Sequence, residues 1–445
     1  MRSRVTYGIL ALGLGGVIAL NTLAPAHNVV PNAPVGTITS SAIYCTGLSG
    51  ASGATYGRIE FVNASSAVRT ARVVTYATHA RKTSVTTWLT LPAHSATPFT
   101  PTKHLSGTFY AVAAYVNGGG VAGEELLASN HSQVSCVSGA TATWFGAGLS
   151  TRVGSISTLT LFNPTATIAV ANVTAMTPNG LEAPQPLRGI TVDAFGFVNL
   201  NLADYVVNTG RFGVNVTALR GALVVSDEQN NAGVPSILSG GPATQTSTFA
   251  LVPTSEGDRA QLTFASPSAA SITVTVSVSF PNTTVPAQQL TVAPYSVASF
   301  SVTPNTAIPA DGGATVHVTA SAPVGMSELW GRRGGLHVAS AESPAARWLL
   351  ADASGAGLGN AAVTNTGSNA ESVVVGVGTS GTTPQISTLT VPANQSVSLR
   401  SLLGAHATLR NEIVSVDGSA ANLLVSASAQ SSPTGIIPVA GLHRG

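Results

Sequence analysis

The stretch Thr158-Leu159-Thr160-Leu161-Phe162-Asn163 decides the fold. Apolar and hydroxylated side chains alternate through it and a small polar residue ends it, the pattern of a half-buried strand running into a turn. It has three counterparts: Arg58-Ile59-Glu60-Phe61-Val62-Asn63, Gln261-Leu262-Thr263-Phe264-Ala265-Ser266 and Ala361-Ala362-Val363-Thr364-Asn365. The turn positions 63, 163, 266 and 365 keep a period of about one hundred residues.

Three further markers hold the same phase. Leu89-Thr90-Leu91, Ile190-Thr191-Val192, Leu290-Thr291-Val292 and Leu389-Thr390-Val391 form one set, with Ala93, Ala194, Pro294 and Ala393 two residues on. Alternating segments recur as Val112-Ala113-Ala114-Tyr115, Val214-Asn215-Val216, Val316-His317-Val318 and Val414-Ser415-Val416. Each unit opens on an aromatic residue: Tyr44, Trp144, Phe249 and Trp348. A period of this length points to duplicated domains rather than a fine-grained solenoid.

In the second unit Ile168 to Thr177 alternates, Pro178-Asn179-Gly180 turns the chain, and strands are expected near 187–193, 196–202, 212–217 and 221–226. About seven short strands per unit, with no sustained helical pattern, predict a β-sandwich. The expected fold is therefore all-β: four tandem immunoglobulin-like β-sandwich repeats at 41–139, 140–245, 246–342 and 343–445. They follow an N-terminal segment at 1–26 and a linker at 27–40. The alternative is closure into a propeller-like ring, with the late Gly435-Ile436-Ile437-Pro438-Val439 as closing strand. A unit of this length is long for a single blade.

Composition restricts the function classes. Charged residues make up 8% of the 445 and hydrophobic ones 44%, which excludes a disordered chain and a coiled coil. Arg2 and Arg4 lie in the leader, and without them seventeen basic residues face seventeen acidic ones. The unit 41–139 is weakly basic, with Arg58, Arg69, Arg72, Arg81, Lys82 and Lys103 against Glu60, Glu124 and Glu125. No cation cluster offers the counterion release that phosphate binding needs, so no nucleic-acid partner is expected.

The N-terminus has the form of an export signal: Arg2 and Arg4, an apolar run from Val5 to Leu20, then Ala24-Pro25-Ala26 as a cleavage site. An uncleaved membrane anchor is the alternative, although sixteen apolar residues are short for a span. No cysteine near the junction supports lipidation. Cys45 and Cys136 fit an oxidising compartment, and a bond closing so long a loop contributes about 4–5 kcal/mol in the chain-entropy model. A structural disulfide is expected rather than a redox pair, because the spacing is not CxxC.

An aromatic beside Cys45 opens the fold, and Cys136 precedes Trp144-Phe145-Gly146-Ala147-Gly148. Leu159-Thr160-Leu161-Phe162-Asn163-Pro164, Ala171-Asn172-Val173-Thr174 and Thr177-Pro178-Asn179-Gly180 follow. This series resembles an actinobacterial family of secreted proteins known as the domain of unknown function numbered five-seven-one-nine. Thr46 stands where proline is expected after the first cysteine. The resemblance implies a secreted or cell-envelope location and brings no active site with it.

Catalytic patterns are weak. Leu238-Ser239-Gly240-Gly241-Pro242 is similar to the serine end of a trypsin-like protease but lacks the preceding Gly-Asp, and neither His79 nor His94 has the expected flanks. It reads as a linker. His79, His94 and His104 lack a partner at metal-ligand spacing, and His317 sits mid-strand between valines. Asp227-Glu228-Gln229-Asn230-Asn231 reads as a solvated turn, since its spacing is not that of an EF-hand. Gly355-Ala356-Gly357-Leu358-Gly359 leads into a strand and reads as a turn. No metal site, no cofactor and no enzymatic activity are expected.

One segment departs from the repeat: Glu328-Leu329-Trp330-Gly331-Arg332-Arg333-Gly334-Gly335. Trp330, Arg332 and Arg333 form the candidate ligand site, an exposed indole beside two guanidinium groups suited to an anionic glycan or a partner loop. The competing reading is a hairpin tip whose Trp leans on its own sandwich. The function expected is that of a non-enzymatic secreted or cell-envelope scaffold or interaction protein, with an extracellular glycan-binding protein using the Trp330 loop as the alternative. A cell-envelope glycan or protein is the expected partner, and membrane contact is expected through the N-terminal segment alone.

Overall fold

The computed structural model describes residues 40–438, apart from 50–56, 79–82, 128–131, 232, 253, 255–258, 281–282, 304, 306–307, 310–312, 332–336, 341–343, 352–360, 380–382, 400–411, 421, 430–431 and 435–436. The expected leader, Arg332, Arg333, His79 and the Gly355–Gly359 turn lie outside the described residues. Among the described residues the chain is all-β, with multiple antiparallel sheets.

The first part of the chain forms β1 (Ser40–Ser49), β2 (Gly57–Asn63), β3 (Arg69–Ala77), β4 (Ser84–Leu91), β5 (Ser95–Phe99), β6 (Phe109–Asn117), β7 (Val121–Leu127) and β8 (Ser132–Ser135). They make two four-stranded sheets, ordered β1-β6-β3-β4 and β5-β2-β7-β8. Alternation explains the layering: Ile59 and Phe61 of β2, Ala71 and Val73 of β3, and Val112 and Ala114 of β6 point inward and are buried together. Phe99, Leu91 and Leu127 complete this first core.

A second core, between the sheets of Thr143–Leu238, gathers Leu159, Leu161, Val173, Phe212 and Val214. A third gathers Phe249, Phe264, Val274, Val316 and Val318. Here the two sheets share one continuous strand, Ala314–Gly331, whose first half pairs with Ile272–Phe280 and whose second half pairs with Arg259–Ala265. In the first core β6 and β7 divide the same path at Gly118–Gly120. A fourth core holds Trp348, Val363, Val375, Val414 and Val425.

The same turn recurs at the polar residue closing the strand. Asn63 Nδ2 donates to the carbonyls of Ala67, Leu91 and Pro92 at 2.9, 3.0 and 2.9 Å, while its Oδ1 accepts from Ser65 N–H at 3.0 Å. Asn163 donates to Thr167, Val192 and Asp193 at 2.7, 3.1 and 3.1 Å and accepts from Thr165 N–H at 3.0 Å. Asn365 donates to Asn369 and Val391 and accepts from Gly367 N–H. Ser266 is too short to bridge, and its hydroxyl accepts from Ser268 N–H alone among these bonds. Opposite each turn a residue takes a left-handed backbone: His94 (φ 48°), Phe195 (52°), Tyr295 (50°) and Asn394 (53°). That conformation is costly for His, Phe and Tyr. The backbone N–H groups of His94, Phe195 and Tyr295 repay it by donating to Ser65, Thr165 and Ser268.

The cores rest on one another. Gly47, at φ 90° in a bulge of β1, lies against Ser226, and Thr46 Oγ1 donates to Ser226 Oγ at 2.9 Å. Gly148, at φ 79°, lies in the same way against Ser327, whose hydroxyl donates to the Ala147 carbonyl at 2.7 Å. Thr315 and Ser396 hydroxyls meet at 2.5 Å between the third and fourth cores. Leu349, on the strand Arg347–Ala351 that also carries Trp348 of the fourth core, is buried against Val62 of β2 and Ala122 of β7, so the contacts return to the first sheet pair.

The late segment does not close this circuit through pairing. Ile437–Pro438 pairs with Leu349 and Trp348, the opening strand of its own sheet. Val137 bridges Tyr44 and Gly241 bridges Phe145 in the same manner. An exit segment returning to the opening strand is thus a feature of the first, second and fourth sheet pairs, because that strand otherwise leaves an unpaired edge.

Candidate functional site

Cys45 and Cys136 form a disulfide with an S–S distance of 2.07 Å and a Cα–Cα distance of 4.7 Å. It fits inside the first core because Gly123 leaves room: a Cβ there would lie 2.8 Å from Ile43 Cγ2 and 3.3 Å from Cys136 Sγ. By strand register the second, third and fourth cores place Val225, Met326 and Val425 at this point. Glu125 lies beside the two sulfurs, but both are spent in the disulfide and no thiolate remains to hold a metal.

Trp330 is not presented to solvent. It is 9% exposed, pairs in register with Ala260 and His337, and packs in the third core with Val324 and Met326. Its antiparallel pairing with His337 fits the reading of a hairpin whose Trp leans on its own sandwich: alternation turns Trp330 inward, so it is not the exposed indole of the candidate ligand site.

The exposed tryptophan is Trp88, at 70%, on the outer face of β4. It stands directly across from Arg72 on β3, and Arg72 stands across from Tyr115 on β6. The Arg72 guanidinium carbon lies 4.7 Å from the Tyr115 ring centroid, a cation–π stack. Thr70, Thr86 and Thr90 are exposed on the same face. The ion pair found among the described residues joins Arg58 to Glu60 at 3.9 Å and leaves Arg72 without a carboxylate.

This row runs off the rim of a buried aromatic cluster. Tyr44 meets Tyr115 edge-on at 6.5 Å and Phe162, which ends the strand Ser155–Phe162, at 6.3 Å, and Tyr76 meets Phe162 at 5.3 Å. Burial raises the Tyr76 phenol to about 12, the neighbouring Tyr115 adding to it, so the Tyr76 phenol stays neutral. Phe162 and Val224 thereby cover the inner half of the face (Val74, Tyr76, Ala111, Ala113).

The equivalent row on the other sheets differs. Register places Asn172 and Thr217 with Gly189 in the second, Gln289, Thr275 and Thr319 in the third, and Thr388, Val374 and Asp417 in the fourth. The aromatic–cation–aromatic row belongs to the first sheet alone among these four.

The interior holds a second unusual set. Glu125, Asp227 and Glu328 occupy the same register position on the strands facing the first, second and third cores, where the fourth has Ala427. All three are buried, and Glu125 Oε1, Asp227 Oδ1 and Glu328 Oε1 have no hydrogen-bond partner among the described residues. Burial pushes Asp227 and Glu328 up to about 8. Glu125 is raised well above the ordinary range by burial and then by the Glu228 charge. Glu228, raised by burial to about 7, accepts from Ser49 at 2.9 Å across the first joint. Asp227 accepts from Ser157 at 2.7 Å.

The segment Asp227–Asn231 is therefore a strand and not the solvated turn expected from its composition. His317 is half-buried mid-strand as expected, with Nδ1 3.0 Å from Thr248 Oγ1. His104 stacks on Phe99 at 4.7 Å. The Ser239–Gly241 segment docks on the opening strand, the Trp144 indole N–H donating to the Ser239 carbonyl.

An all-β chain of buried aliphatic cores with a disulfide and an exposed aromatic row defines a class of layered β-proteins. Residues 130–401 match the family described as Family of unknown function (DUF5719), and the chain belongs to that family. Cys136 falls within the matched span and the Trp88 row falls before it. No curated protein matches the chain. Among solved structures it is similar, at 11% identity and a TM-score of 0.12, to the exo-chitosanase CsxA of Amycolatopsis orientalis, covering 47% of this chain and 26% of that one. The same identity and TM-score hold for the tetra-tandem repeat in the extending region of a large adhesion protein, with 91% and 100% covered. They hold also for a beta-glucuronidase of Bacteroides uniformis, with 71% and 32% covered. Likenesses at this level carry no argument. The disulfide fits an extracytoplasmic location, and no helix among the described residues is long and apolar enough to cross a membrane.

Proposed function

We propose that this chain is a non-enzymatic interaction protein of the extracytoplasmic space. Its four cores are immunoglobulin-like sandwiches, exported by the N-terminal segment and closed head to tail as a scaffold that holds one contact face. The recurring asparagine turn and the Gly47–Ser226 and Gly148–Ser327 joints support the repeated design. The observation that carries the reading is the Trp88–Arg72–Tyr115 row, where one sheet departs from its three counterparts by exposing what the others do not. A large exposed ring on a rigid strand costs solubility, and such patches mark interaction sites.

Co-sedimentation of the purified chain with a cell-envelope fraction tests it. The wild type sediments and Trp88→Ala stays in solution; equal sedimentation of both removes the assigned face. Labelling of a single serine by a fluorophosphonate probe in the folded protein would overturn the non-enzymatic reading.

A further inference from the structure

We infer that the Trp88–Arg72–Tyr115 row binds a glycan chain bearing carboxylate groups, one sugar ring stacking on the indole and a carboxylate reaching Arg72. This deepens, and rests on, the assignment of that face as the contact surface.

Three features of the row select this ligand. First, the face presents side chains: the backbone groups of β3 and β6, which carry Arg72 and Tyr115, are consumed in the ladders on either side, while β4, which carries Trp88, is the end strand of the sheet. A peptide gains much of its affinity by hydrogen-bonding a sheet edge through its main chain, whereas a chain lying across Trp88, Arg72 and Tyr115 crosses three strands and meets their side chains. A sugar ring needs what the face has, an apolar plate with hydroxyls around it: Trp88 with Thr70, Thr86 and Thr90.

Second, the charge is single, positive and held. Arg72 is exposed and sits on Tyr115 rather than on an acid, so its planar fork is oriented without being neutralised. A guanidinium in this state is matched to a carboxylate, which it can engage with two parallel hydrogen bonds. No acidic side chain shares the outward row formed by Thr70, Arg72, Trp88, Thr90 and Tyr115.

Third, the row spans two strand spacings, roughly 10 Å, which accommodates consecutive rings of a chain rather than one small ion. The row ends against the Tyr44–Phe162 contact, so a chain lying along it meets a wall contributed by the strand Ser155–Phe162. Binding sites favour such junctions between packed units.

The test uses the purified full chain and defined polymers: polygalacturonate and hyaluronan as carboxylated glycans, mannan and a β-glucan as neutral ones, and poly-glutamate as an acidic peptide. At low salt the wild type binds a carboxylated glycan, and Trp88→Ala weakens that binding roughly tenfold to a hundredfold. Arg72→Gln weakens it and removes its salt dependence, Arg72→Lys restores part of it, and Gln289→Ala leaves it unchanged. Trp88 and Arg72 are exposed, so melting temperatures of these variants match the wild type and a folding defect is recognised at once. Trp88-dependent binding that prefers the neutral polymers or poly-glutamate overturns the carboxylated-glycan assignment while keeping the contact face. Binding to the carboxylated polymers that survives Trp88→Ala, or no binding to them, overturns the assignment outright; envelope co-sedimentation then reports on the contact face separately.

Discussion

Gly47 and Ser226 meet across the joint between the first and second cores, so closely that a Cβ on Gly47 would lie 2.6 Å from the Ser226 hydroxyl oxygen. Gly148 and Ser327 repeat the relationship at the next joint, at 2.7 Å. Both glycines have positive φ, so a side chain meets strain as well as crowding. Gly47→Ala is expected to cost about 1–3 kcal/mol. Urea unfolding measures the loss, and limited proteolysis shows it as new cleavage between the first and second cores.

Asn163 ties one turn to a neighbouring strand through three carbonyls, and removing its amide takes a donor from each, although Thr167 keeps the Thr165 hydroxyl and Asp193 keeps the Gly196 N–H. Asn163→Ala is expected to destabilise by about 2–4 kcal/mol, more than an exposed Asn→Ala such as Asn179→Ala. Thermal unfolding followed by circular dichroism checks it, and Asn365→Ala should behave alike.

Stability should fall as the solution becomes alkaline. Asp227 and Glu328 are held at about 8 and Glu125 well above its ordinary value. The folded chain therefore keeps protons that the unfolded chain releases above about pH 4. The stability these groups contribute is fully present below that point and is lost as pH rises through their folded values. The slope is about 1.4 kcal/mol per pH unit for each proton released. Melting temperatures should be higher at pH 5 than at pH 8.5, and Asp227→Asn, which keeps an acceptor for Ser157, should flatten the profile. A melting temperature that rises over this range would contradict the neutral state of the three acids.

Reduction of Cys45–Cys136 should cost the first core about 4–5 kcal/mol, read as a lower urea midpoint with dithiothreitol than without. Gly123→Val should be poorly tolerated with the disulfide present and only partly relieved in a Cys45→Ala, Cys136→Ala background, because a Cβ at Gly123 meets Ile43 Cγ2 at 2.8 Å as well as the Cys136 sulfur at 3.3 Å.

Much of this architecture was legible in period and alternation. The segment Leu159–Asn163 fixed which face is inward, and the aromatic markers Trp144 and Trp348 are buried in their cores. The buried acids were not legible, because Asp227-Glu228-Gln229-Asn230-Asn231 has the composition of a solvated turn and burial of a neutral carboxylic acid leaves no mark in sequence. Trp330 misled as a ligand site because its place beside Gly331 and two arginines suggests an exposed ring, whereas the ladders with Arg259–Ala265 and His337–Ser340 set it in the third core. Trp88 did have a signal: Leu89 and Leu91 face the core, so Trp88 and Thr90 between and beside them face out. Its partners Arg72 and Tyr115 could not be found that way, since their alignment depends on the register of three strands distant in sequence.

Of the four tryptophans, Trp144, Trp330 and Trp348 are buried and Trp88 is exposed, so acrylamide quenching of intrinsic fluorescence reports on the assigned face. The decisive measurement is that quenching during titration with polygalacturonate or hyaluronan. The account predicts that the readily quenched component disappears as ligand saturates. A component that stays accessible at saturation would show that the ligand sits elsewhere, and the central claim would fail.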